Sequence, residues 1–168
     1  MGILGDTTLE SNETFFVNLS DNFGTTIADG QGVGTILDDD TLLILEESGP
    51  VPQQAAAFEW LLFTRDPFRV KSIAGWFNLP PGQNTLVLVF AQNLRLSQGE
   101  TASDVIVNLV DGNNQSFDVP AADVRAVANV DLTQVLFRLP DALAPGTCKV
   151  TIQAHGQTSN LGTLRITP

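Results

Sequence analysis

The chain has 168 residues, 43% hydrophobic and 16% charged, which gives room for one ordinary domain and part of another and is too apolar for a disordered chain. Nineteen acids against eight bases give a net charge of −11 and a pI ≈ 4.1, which argues against gripping nucleic acid or an anionic membrane by general electrostatics. One Cys and one His exclude an internal disulfide and any multi-Cys or multi-His metal centre.

The opening, Met1-Gly2-Ile3-Leu4-Gly5-Asp6, lacks the basic flank and long apolar core of a signal peptide. No run of 18 apolar residues follows, so the sequence predicts no membrane insertion. Residues 1–64 carry eleven acids and no base, whereas the rest carries eight of each. The whole imbalance therefore belongs to the first segment, and such asymmetry marks two functional units.

Strand signals dominate. Thr14–Ser20 alternates with Phe15, Val17 and Leu19 on one face, which predicts a strand with those three in a core. Residues 32–37 form a second short strand. The turn-rich stretch between them, ending in Asp29-Gly30, closes a long hairpin. Gly30-Gln31-Gly32-Val33-Gly34 reads as a strand needing close backbone approach or a bulge. After Asp38-Asp39-Asp40 the character changes. Short strands are predicted at 42–45, 57–64, 84–91, 104–110, 115–119, 123–128, 132–138, 147–154 and 161–166, separated by Pro, Gly and Asn turns. The apolar run at 84–91 predicts a central strand buried on both faces. Residues 41–168 are expected to be one all-β domain, an immunoglobulin-like β-sandwich.

Gly5-Asp6-Thr7-Thr8-Leu9-Glu10-Ser11-Asn12-Glu13-Thr14-Phe15-Phe16-Val17-Asn18-Leu19-Ser20 resembles the signature of Calx-β domains, and the stretch from Thr26 to Asp40 resembles that family's last strand and acidic terminus. The resemblance covers roughly the second half of such a domain, about residues 3–40. It implies a Ca2+ site built from Asp6, Glu10 and Glu13 of the loop and Asp38, Asp39 and Asp40 after the last strand, with the Thr8 carbonyl as a further ligand. Calcium takes 6–8 oxygens, which converging carboxylates supply. The family's first strands also give ligands and lie outside the match, which implies a site that is incomplete, weak or completed by another chain.

Residues 42–168 resemble, less specifically, Ig-like modules that close repeat-bearing bacterial surface proteins. The resemblance rests on Phe63-Thr64-Arg65-Asp66-Pro67-Phe68 and on the ending Gly156-Gln157-Thr158-Ser159-Asn160. It implies an extracellular or cell-surface setting for a segment of a larger protein. No nucleophile elbow, Walker loop or dinucleotide fingerprint occurs. Cys148 is expected to be a buried inert thiol, His155 a surface turn residue, and Trp60 and Trp76 core. Lys71 and Lys149 are the amines that could form an isopeptide with an Asn.

The sequence therefore predicts a non-enzymatic structural or adhesion module with a Ca2+ site in its acidic hairpin. Its partners would be copies of itself or neighbouring repeats. The alternative is a self-assembling subunit, a homo-oligomer or filament, in which a neighbour completes the N-terminal sandwich by strand addition.

Overall fold

Along Gly146–Ala154, residues Cys148, Val150, Ile152 and Ala154 are buried and their neighbours face outward, the period of two that a half-buried strand requires. The same logic, repeated along the chain, builds an all-β fold. The computed structural model describes residues 12–20, 24, 27–36, 41–71 and 83–168.

The strands are β1 (Glu13–Asn18), β2 (Gln31–Ile36), β3 (Leu43–Ile44), β4 (Ala57–Glu59), β5 (Phe68–Arg69), β6 (Leu86–Gln92), β7 (Ile106–Val110), β8 (Ser116–Pro120), β9 (Asp123–Ala126), β10 (Thr133–Arg138), β11 (Gly146–Ala154), β12 (Gln157–Thr158) and β13 (Gly162–Thr167). One sheet has the order β3-β6-β10-β9, with β4 also on β6. The other runs β5-β13-β11-β7-β8, with β12 on β11. Strands β1 and β2 form a separate two-stranded sheet.

Inner-face residues of the two larger sheets form one cluster. Val87, Val89, Val135 and Phe137 come from the first, and Val107, Leu109, Val150, Ile152 and Leu164 from the second. These sheets are the two layers of a β-sandwich. The chain passes between them at residues 53–55, where Ala55 donates its N–H to the Thr163 carbonyl and Thr163 donates to that of Gln53.

Strand β6 is central and buried on both faces. Val87, Val89 and Ala91 point into the sandwich, and Leu88 on the outer face is also buried. Phe58 and Leu136 stand opposite Leu88 on the flanking strands, and the Phe58 and Phe90 rings meet edge to face at 6.2 Å.

The strand expected over 57–64 ends at Glu59. There the Leu62 N–H donates to Glu59 Oε2 at 2.5 Å and the Phe63 N–H to the Glu59 carbonyl at 2.9 Å, with Phe63 at a φ of 51°. The chain reverses, and Phe58 bridges Arg65. Trp60 is half-buried on this turn; Trp76 lies outside the described residues.

Candidate functional site

Of the six carboxylates implied as calcium ligands, Glu13 is described: it is exposed at the start of β1. Asp6, Glu10, Asp38, Asp39 and Asp40 lie outside the described residues. The antiparallel register pairs Glu13 with Ile36 and Asn18 with Gln31, so the acidic end of β1 meets the end of β2. At the far end the Leu19 N–H donates to the Gly30 carbonyl at 2.8 Å, and Gln31 Nε2 donates to Asn18 Oδ1 at 2.8 Å. Among the described residues no three His, Cys, Asp or Glu side chains come together as a metal group.

The hairpin's apolar residues are placed otherwise than expected. Val17 and Leu19 are 52% and 61% exposed, and Phe15 is only half-buried. The reason is the missing second layer: β1 and β2 form a sheet of their own, and even Phe16 and Val33, paired across the ladder on the other face, are 58% and 64% exposed. The close neighbour at Gly34 is a side chain and not the backbone approach expected there: a Cβ would lie 2.3 Å from the Phe15 ring. The ring therefore lies over the glycine, an aromatic covering a residue without a side chain. Gly34→Ala should rotate Phe15 off the strand with a stability change within about 1 kcal/mol, since the blocking atoms end a side chain that can turn. The upfield ring-current shift of the residue-34 Hα would vanish while the β1–β2 cross-strand NOEs persist. Loss of those NOEs would instead make the ring–glycine contact the element that holds the hairpin.

No family model, curated protein or solved structure matches this chain.

In the sandwich the residues singled out by resemblance serve the fold. Phe68 is buried at 2% exposure, and the Asp66 carboxylate accepts the Arg165 Nε at 2.8 Å and its N–H at 3.2 Å. Arg65 sits 5.4 Å from the centre of the Phe58 ring. Ser159 accepts the Ile152 N–H at 2.9 Å, and Asn160 bonds both backbone groups of Ile44.

Cys148 is buried, and burial first, with the Asp111 carboxylate second, pushes its thiol up to about 12, the property of an unreactive sulfur. His155 does occupy a turn, but it is not a free surface residue. Its Nε2 lies 2.8 Å from Glu100 Oε2, and its Nδ1 is buried without a partner. Glu100 lies below the usual carboxylate range because the Ser97 N–H donates to it first and His155 second.

Lys71 Nζ donates to Asn84 Oδ1 at 2.6 Å and pairs with the Asp141 carboxylate. Lysine, asparagine and aspartate thus come together, but the groups are open to solvent and Asp141 is held below its ordinary value, first by the Lys71 hydrogen bond and then by that from Asn84. This is the chemistry of an ion pair, and an ammonium has no lone pair with which to attack an amide.

Sequence reasoning passed over the buried carboxylates. Asp111 opens the Asp-Gly-Asn-Asn turn and is 3% exposed. Its Oδ1 accepts the Asn113 and Gln115 N–H groups and its Oδ2 that of Ala144. Burial raises its pKa, and the three backbone donors outweigh that and lower it. The turn signature was visible in the sequence, but its link to Ala144 was not. Glu59, at 6% exposure, carried a fainter signal: a single acid inside the run Ala55–Phe63.

Proposed function

We propose that the chain is a non-enzymatic structural and adhesion module of an extracellular or cell-surface protein, with residues 1–40 as a Calx-β-like unit that binds Ca2+ and residues 41–168 as an Ig-like sandwich. What carries this reading is the Glu13–Ile36 register. Glu10 precedes Glu13 by three residues and Asp38 follows Ile36 by two, which is at most about 7 Å of chain for the latter. The two acidic segments therefore leave the hairpin at the same end. The residues fit the ion chemically, since six carboxylates can supply the hard oxygens that calcium selects.

Calorimetric titration of the full chain should give a Kd of about 10⁻⁴–10⁻³ M for Ca2+, and the combined change of Asp38, Asp39 and Asp40 to Asn should abolish the heat. Absence of heat from the unaltered chain at about 10 mM Ca2+ would overturn the reading.

A second reading, assembly of copies through the hairpin, is favoured by its exposed apolar residues. Phe16, Val17, Leu19 and Val33 are 58%, 52%, 61% and 64% exposed. A two-stranded sheet is marginal alone, and its edges can take a further strand. Light scattering at micromolar concentration, with Ca2+ and with chelator, separates the two. A calcium-dependent increase in size joins them, whereas a monomer under both conditions removes the second.

A further inference from the structure

Natural sheets keep their edges from pairing with another chain by making edge strands short or by placing charges and proline on them. The sandwich follows this rule. Strands β3, β4, β5 and β12 have two or three residues each. Strand β8 carries Asp118 and Pro120, and β9 carries Asp123 and Arg125. In the hairpin, β1 opens on the charge of Glu13. Among the described residues, β2 is the edge strand with none of these devices. Its six residues, Gln31–Ile36, include no charge and no proline, and Gln31, Gly32, Val33 and Thr35 are exposed. The Leu19 N–H bonds to the Gly30 carbonyl, and in an antiparallel ladder every second pair exchanges such bonds. Val17–Gly32 and Phe15–Gly34 are therefore the bonded pairs, and Gln31, Val33 and Thr35 turn their backbone groups away from β1. The Gln31 N–H is taken by Asp29 Oδ1 at 3.2 Å, which leaves the Val33 and Thr35 groups and the Gln31 carbonyl for another strand.

We propose that the outer edge of β2 is where two copies of this chain join, their β2 strands pairing antiparallel about a two-fold axis with Val33 opposite Val33. Resting on the reading of the hairpin as the assembling element, this pairing adds the strand, its direction and its register. Each Val33 N–H then donates to the Val33 carbonyl of the other copy, and each Thr35 N–H to its Gln31 carbonyl. Charge selects the occupant and the direction. Two copies carry identical charges, so a strand that meets its own equivalent must not set like charges opposite each other, and β2 has none. The antiparallel direction also sends Asp38, Asp39 and Asp40 of the two copies to opposite ends of the shared ladder, whereas a parallel pair would set them side by side. The apolar residues fit the same register. Phe16 stands opposite Val33 across the β1–β2 ladder, so Phe16, Val33, Val33 of the second copy and its Phe16 form one row across a sheet of order β1-β2-β2-β1. A marginal hairpin thereby becomes part of a wider sheet with an apolar row of its own.

The test is sedimentation equilibrium of the full chain across the micromolar range, with chelator present so that calcium plays no part. The unaltered chain should reach twice the chain mass. Val33→Pro should raise the dimer Kd about tenfold or more, since it removes a donor from the shared ladder and none from the β1–β2 ladder. Persisting β1–β2 cross-strand NOEs would show the hairpin intact in that variant. Thr14→Pro makes the matching change on the outer edge of β1 and should leave the Kd unaltered. The register is read from cysteines. Facing Cα atoms of a bonded antiparallel pair lie about 5.5 Å apart, within disulfide reach. Val33→Cys should therefore link two copies under mild oxidation, whereas Gln31→Cys, which faces Thr35, should not. These two variants decide the matter if Val33→Pro disturbs the hairpin. A chain that stays monomeric throughout would overturn both the pairing and the reading it rests on. Association that Val33→Pro leaves unchanged, association lost equally in Thr14→Pro, or linkage as ready at residue 31 as at 33 would overturn the β2 pairing alone.

Discussion

Asn160→Ala is expected to lower the unfolding free energy by about 2–4 kcal/mol, read as a lower urea midpoint at an unchanged slope. The argument is one of satisfied backbone groups. Ile44 in β3 is 2% exposed, its N–H donates to Asn160 Oδ1 at 2.6 Å, and its carbonyl accepts Asn160 Nδ2 at 3.2 Å. A side-chain amide presents the same donor and acceptor as a peptide, so Asn160 acts as one residue of an extra strand beside β3. It also donates to Glu46 Oε1 at 3.0 Å. Alanine leaves both Ile44 groups buried without partners, and each such orphan costs about 1–3 kcal/mol. Aspartate would keep the acceptor but lose the donor and set a second carboxylate against Glu46. Asn160→Asp should therefore fall below the wild type as well. A loss under about 0.5 kcal/mol for Asn160→Ala would show that water replaces the amide at this position.

The same residue shows what the sequence could and could not convey. The strands expected at 104–110, 115–119, 123–128, 132–138, 147–154 and 161–166 correspond closely to β7–β11 and β13, because alternation and turn residues are local properties written residue by residue. Ser159-Asn160 stood out only as part of a resemblance, since its partner Ile44 is 116 positions away. The failures have causes of their own. Trp60–Phe63 is apolar enough for a buried strand, but the Glu59 side chain bonds forward to Leu62 and the Phe63 N–H bonds back to the Glu59 carbonyl, which makes it a reversal. Strand β5 has two residues, too few to show a period. Phe15, Val17 and Leu19 alternate as core residues do, but burial needs a second layer, and β1 and β2 form a sheet of their own. As for the candidate site, the sequence supplied six carboxylates, and the described hairpin contributes the register that sets Glu13 against Ile36.

Phe68→Ala should cost about 3–5 kcal/mol, the largest stability loss among the changes considered, with Phe68→Leu under about 1.5 kcal/mol. Phe68 is the buried half of β5, paired in parallel with Ile166 of β13, and it belongs to the single core cluster shared by both sheets. Its position is fixed from outside by Asp66, whose buried carboxylate accepts both the N–H and the Nε of Arg165. The segment therefore cannot readily slide inward to fill the space a lost ring would leave. Limited relaxation is what puts such a site at the upper end of the range for aromatic truncation. Urea denaturation of the two variants is the measurement. A loss below about 1 kcal/mol for Phe68→Ala would mean that the core closes over the gap. Phe68 also walls a cavity beside Glu59, so in Phe68→Ala the space next to that carboxylate grows as the core weakens.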